Sequence, residues 1–139
     1  MSLFPVFQTA ASGLYANRIW MDSVSDNIAN MNTIRPYNQP AYQASSVVAE
    51  ARPSDSNDPV GVGGGVQVAG IERGDPAGRQ RYQPDSPMAN AQGIVRYPDI
   101  DLGDQMVMLI QAQRSYQMNL QVIDRARESY QQALQIAPH

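Results

Sequence analysis

Four groups of residues have the types and spacing that chemistry uses, and each reads more simply as structure. Asp99, Asp101 and Asp104 offer carboxylates close together, the donor set of a divalent cation. They also stand where an apolar-periodic stretch begins, where an acidic side chain caps a helix and favours its positive end. The run Val60 to Val66 (VGVGGGV) is glycine-rich, but no Lys-Ser/Thr pair and no helical pattern follows it, so it reads as a turn or hairpin tip rather than a phosphate loop. Arg114-Ser115-Tyr116 joins a cation, a hydroxyl and a phenol, yet Tyr116 falls on an apolar stripe. The one histidine, His139, is the last residue, unfit for a preorganised triad or metal cluster. There is no cysteine, hence no disulfide, thiolate ligand or thiol nucleophile. We therefore assign no catalytic, cofactor-binding or metal-binding residues.

The elements that would position such groups are more informative. From residue 102 to 136 the chain has no proline and a single glycine, Gly103. Its apolar positions advance by four and three: Leu102, Met106, Leu109, Gln113, Tyr116, Leu120, Ile123, Arg127, Tyr130 and Leu134. That is the heptad spacing of a coiled-coil seam, on a helix roughly 50 Å long at 1.5 Å per residue. The other end repeats it with Leu3, Phe7, Ala10, Leu14, Asn17, Met21, Val24, Ile28 and Met31. Ser2 can cap this helix and Pro5 falls in its first turn, where a missing N–H does least harm. Gly13 costs about 1 kcal/mol of helix propensity. Pro36 forces Arg35 into an extended conformation.

Between the helices, residues 34–98 are of another kind. Two prolines (Pro36, Pro40) make an extended linker. Strand-like stretches follow around Val47 and Val48, from Val66 to Ile71 in alternating or bulged form, at Arg79 to Tyr82 as its partner, and at Ile94 to Tyr97. RPSDSNDP (52–59) reads as a mobile loop and Asp75 to Gly78 as a turn. The expected fold is mainly α with a small β insert: an antiparallel, coiled-coil-like helix pair and a middle segment of short β-hairpins. Its parts are 1–33, 34–98 and 99–139. Setting Leu3 near Leu134 would let Arg127 pass Ala10. Asn17, Gln113 and Arg127 interrupt the stripes, and Trp20, Met108, Ile110, Ala112 and Ala126 lie beside them. Two helices alone would leave such residues in water, which points to assembly with further helices.

Composition narrows the partners. The net charge is −3, and all ten basic residues are arginine. No basic patch builds up in sequence, which argues against nucleic acid. The longest apolar run, Met106 to Ile110, is far below the roughly 20 residues of a membrane span. The N-terminus lacks the charged and apolar regions of a cleaved secretory signal.

One pattern is more specific than periodicity. Asp26-Asn27-Ile28-Ala29-Asn30-Met31-Asn32-Thr33, then Arg35-Pro36-Tyr37 with Pro40 and Tyr42, resembles the N-terminal signature of bacterial flagellar axial proteins. Tyr82-Gln-Pro84-Asp-Ser-Pro87, Ala89-Asn90, Gly93-Ile94-Val95, Pro98-Asp-Ile-Asp101, Met106 and the run Arg114 to Asn119 resemble the proximal rod subunits of that rod and hook family. Residues 48 to 78 carry little of the likeness. The resemblance implies a non-enzymatic structural subunit of the basal-body rod, with its terminal helices in a coiled-coil domain and its β segment facing outward. It also implies export through the flagellar type III apparatus without a cleaved signal, and partnership with itself and other rod proteins. On this reading the two stripes, less Asn17, Gln113 and Arg127, form the assembly interface. The family signature residues are Asn27, Ala29, Asn30, Thr33, Pro84, Pro87, Gly93, Pro98, Arg114, Ser115, Tyr116 and Asn119. The competing reading is a stand-alone helical hairpin acting as an adaptor or export chaperone.

Overall fold

The computed structural model describes residues 4–53 and 64–136. Leu3, Ser2, the loop from Ser54, Gly61 to Gly63 and His139 lie outside the described residues. Two long helices flank a small β region: α1 (Phe4–Asn30), β1 (Arg35–Pro36), β2 (Ser45–Ala51), β3 (Val66–Arg73), β4 (Arg79–Tyr82), β5 (Ile94–Tyr97) and α2 (Leu102–Ile136).

Local chemistry sets the helix ends. Asp101 caps α2, its carboxylate accepting the Asp104 N–H at 3.1 Å, with Asp104 itself in the first turn. Asp99 does not cap; it pairs with Arg79 of β4. At the end of α1, Asn30 Nδ2 donates to the Asp26 carbonyl at 2.9 Å and the Thr33 N–H donates to the Asn30 carbonyl at 2.9 Å. The Asn30 carbonyl, orphaned by the helix end, is thereby satisfied.

The strands form two antiparallel sheets. β2 pairs with β3, and β4 pairs with β5, which also takes β1 on its other edge. Sequence reasoning placed these strands but paired them wrongly in one respect: β4 is the partner of β5, not of β3. The physical reason is the turn at 75–78. Gly78 has φ +60 and lies against the Tyr97 carbonyl and Ala41, so the chain turns toward β5. The extended linker also holds a strand that sequence reading missed, since Arg35 and Pro36 pair with Arg96 and Val95. The irregularity expected in β3 is a bulge: Val48 faces Gly70 and Ala49 faces Val68, leaving Ala69 extra.

The β2–β3 hairpin lies along α1. At one end Ser23 Oγ donates to the Ser45 carbonyl at 2.8 Å; at the other the Val66 N–H donates to Ser12 Oγ at 3.0 Å. From Ser12 to Asn27 a helix rises about 22 Å, and a seven-residue strand spans about 23 Å. Helix and strand therefore stay in contact over the full length of β2. This leaves α1 covered on two sides, by the hairpin and by α2.

The helices pack antiparallel. Asn27 Nδ2 donates to Gln105 Oε1 at 3.0 Å, and the Asn119 side chain lies against Gly13. Residues whose numbers sum to 132 thus lie opposite one another. The register expected from sequence, Leu3 near Leu134 and Arg127 past Ala10, is displaced by five residues. Polar hydrogen bonding at Asn27 and a close approach at Gly13 fix the register; neither is visible in an apolar stripe. Because α1 starts at Phe4, the last turns of α2 project beyond it.

Candidate assembly interface

The contact line between the helices is narrow and made of small or polar residues. On α2 it runs through Gln105, Ala112, Asn119 and Ala126, seven residues apart. Gln105, Ala112 and Ala126 are buried, Ala112 fully. Leu109, Tyr116 and Ile123 flank this line and are half-buried. On α1 Ala10, Ala16, Ser23, Val24 and Asn27 are buried, while Phe7, Leu14, Met21 and Ile28 are half-buried, as is Met31 just beyond it. Alanine and glycine let the two backbones approach, and Asn119 sits where a side chain on Gly13 would be: a Cβ there would lie 2.6 Å from Asn119 Nδ2. Gly13 thus leaves room for the end of the Asn119 side chain against α1.

The stripe read from sequence divides into two rows around this line. Its Leu109, Tyr116 and Ile123 row turns partly toward α1. Its Met106, Gln113, Leu120, Arg127 and Leu134 row turns away and is exposed, so Gln113 and Arg127 are not polar breaks in the intrachain core. Met106 is 48% exposed, Leu120 40% and Leu134 58%. Leu102 and Tyr130, at the two ends of the half-buried row, are exposed as well. The phase was misread by one residue because small Ala112 and Ala126 line the true contact, whereas the larger side chains beside them dominate a hydrophobic pattern.

Among the described residues, ten of the fifteen large hydrophobic residues that are exposed lie on α2. A globular monomer seldom leaves such a continuous apolar helix face in water.

The signature residues do different jobs. Asn27 is a junction of three elements. Its Oδ1 accepts from the Ser45 N–H at 2.8 Å and from Tyr42 Oη at 3.4 Å, and its Nδ2 donates to the Ser45 carbonyl at 2.9 Å as well as to Gln105. Asn30 and Thr33 close the helix end. Ala29 is exposed. Gly93, at φ +74, closes the β4–β5 connection, donating its N–H to Asn90 and accepting from Gln83. Asn90 Oδ1 accepts from the Ile94 N–H at 2.8 Å. Pro84 packs against Gly93, Pro87 is exposed and Pro98 is buried before α2. Arg114 is exposed. Ser115 and Asn119 line an open groove of about 500 Å³ with Asn17, Trp20, Val47 and Met118. Among the described residues no group of three or more acidic residues or histidines could hold a metal, and no helix is long and apolar enough to cross a membrane.

A long helix pair with an unsatisfied outer face defines a subunit class, one built to pack against further helices. Comparison with known proteins specifies it. Residues 7–36 match the family described as flagella basal body rod protein, and residues 91–136 the one described as flagellar basal body rod FlgEFG protein C-terminal. The chain is 31% identical to flagellar basal-body rod protein FlgC of Borreliella burgdorferi over 98% of both chains. It is 35% identical to FlgC of Yersinia enterocolitica over 91% of this chain and 92% of that one. To FlgC of Bacillus subtilis it is 32% identical over 98% and 99%. The chain belongs to the FlgC family of flagellar basal-body rod proteins. The matched segments take in most of α1 with β1, and β5 with α2, and residues 37–90 fall outside both, in line with the weak likeness of residues 48 to 78.

Proposed function

We propose that this chain is a non-enzymatic structural subunit of the basal-body rod that joins its neighbours through the outer face of α2, in the manner of a coiled coil. One observation carries the reading: Met106, Leu120 and Leu134 form an exposed row beside the intrachain contact, on a helix in a chain whose relatives are named rod proteins. Burying that row between subunits would turn a two-helix pair into a multi-helix wall, which resists bending and twisting as a torque-bearing shaft must. Residues 1–33 and 99–139 form the helical part on this reading. Residues 34–98 form the outward segment, closed at its base by the pairing of β1 with β5. Partners are further copies and other rod proteins. Export runs through the flagellar type III apparatus without a cleaved signal, and neither nucleic acid nor membrane insertion has a part.

Leu120→Asp tests this. Leu120 is surface in the monomer, so its loss should change monomer stability by less than about 0.5 kcal/mol. A charge buried between subunits is far more costly. The expected outcome is an unchanged circular-dichroism melt with loss of self-association in sedimentation and of motility in a complemented null strain. Normal motility would exclude the α2 face as the assembly surface.

A further inference from the structure

Two arginines, Arg35 and Arg73, line one cleft of the middle segment with no acid in its lining, and a third, Arg96, stands next to it. Arg35 of β1 stands directly opposite Arg96 of β5 in the antiparallel register, an arrangement in which like charges repel across the sheet. Arg96 faces a neighbouring hollow that Asp75 also lines: its guanidinium lies over the Tyr37 ring at 4.7 Å from the centroid, its Nη1 donates to the Pro76 and Ala77 carbonyls at 3.5 Å, and its Nε is buried without a hydrogen-bond partner. Arg35 and Arg73, from the end of β3, line the same cleft of about 280 Å³ with Gln39, Pro40 and Gln43. The nearby acids do not line the cleft of Arg35 and Arg73. Asp75 Oδ1 accepts the Ala77 N–H at 2.7 Å. Glu72 precedes Arg73 on the strand and so points to the opposite face. Among the described residues the only ion pair is Arg79 with Asp99. In a chain of net charge −3 this is a local surplus of positive charge.

The geometry points to a carboxylate-bearing helix of a second copy as the occupant of this cleft, with Asp22 and Asp26 entering it. The cleft is too small for a helix, about 10 Å across with its side chains, so it admits side chains only. Asp22 and Asp26 are one turn apart, which sets their Cβ atoms about 6 Å from each other on one face. Both are exposed, on the side of α1 that also carries Tyr15 and Arg18; nearer the start of the helix, Gln8, Ala11 and Tyr15 of that side border a groove whose other wall is β3. Among the described residues the other exposed pair at this spacing, Asp124 and Glu128, brackets Arg125 and Arg127 and is neutral as a group, whereas Asp22 and Asp26 with Arg18 one turn away keep a net charge of −1. Paired charges of this kind set which neighbour binds and in which register, beyond what an apolar face specifies. The inference rests on the assembly reading above and names a second contact within it.

The absence of cysteine gives a clean test. Full-length Gln43→Cys, beside the cleft, and Ser25→Cys, between the two aspartates, are mixed and treated with a short bis-maleimide. The expected product is a covalent heterodimer whose yield falls about tenfold when the Gln43→Cys copy also carries Arg73→Glu or Arg35→Glu, and is restored when the Ser25→Cys copy carries Asp26→Arg. Circular dichroism confirms that each variant is folded, and two arginine variants guard against one of them failing. Absence of the heterodimer, or a yield indifferent to both arginine substitutions, overturns the proposal. Sedimentation of the same samples separates the two ideas. Continued self-association without the cross-link leaves the α2 face standing and removes this contact alone; loss of self-association in Leu120→Asp with a persisting charge-dependent cross-link does the reverse.

Discussion

Asn27 shows how one side chain can hold a fold that hydrophobic area alone does not specify. It is 2% exposed, and both ends of its amide are used, on β2 and on α2. Replacing it with alanine removes these bonds and leaves the Ser45 N–H and Gln105 Oε1 to find new partners in a site closed to water. Unsatisfied buried polar groups cost about 1–3 kcal/mol each. Asn27→Ala should therefore destabilise the monomer by about 2–4 kcal/mol, read as a shift in the urea midpoint with an unchanged slope. Of the signature residues, Asn27 was legible in sequence as part of a pattern but not as a junction. Its partners Ser45 and Gln105 lie 18 and 78 residues away, and no local rule brings them together. The same holds for Arg35 and Arg73, which are far apart in sequence, lie in different sheets and meet at one cleft only in the folded chain.

At the scale of the elements, both helices and the strands β2 to β5 could be read from periodicity and from the prolines and glycines between them. A repeat of seven and a repeat of two are local signals, so they survive without knowledge of contacts. Pairing and phase are long-range, and there the reading slipped. A hydrophobic stripe reports the average apolar direction of a helix. On α2 that direction is shared between an inner line of small residues and an outer row of large ones. The distinction has a direct consequence. Ala112 is fully buried on the inner line, so Ala112→Asp should unfold the helix pair in the monomer, with several kcal/mol lost, whereas Leu120→Asp should not. Gly13 offers a graded version. Gly13→Ala gains about 1 kcal/mol of helix propensity and needs only the end of Asn119 to move, so its net effect should stay within about 1 kcal/mol. Gly13→Leu must push the helices apart and should lower the thermal midpoint markedly. Equal melts for the alanine and leucine variants would mean that the helices do not touch there.

For the whole molecule, the order of stability should follow coverage. α1 lies between the hairpin and α2, and its exposed positions form a single stripe. α2 has one neighbour, and its final turns project past the first described residue of α1, where Tyr130 is 51% and Leu134 58% exposed. Tertiary packing supplies most of a helix's stability in a protein. Amide exchange in the dilute monomer should therefore be slowest in α1 between Ser12 and Asn27, intermediate in α2 near Ala112, and fast from about residue 129 onward. Local opening in that last stretch should cost much less than global unfolding. Assembly should reverse the ranking of change. If the outer face of α2 is the surface buried between subunits, the largest gain in protection on polymerisation falls on α2 and its projecting end, with little gain in α1. A monomer already protected through Leu134, or an assembly whose added protection falls on the β strands alone, would show that the helix face is satisfied within a single chain and that the rod is built through other contacts.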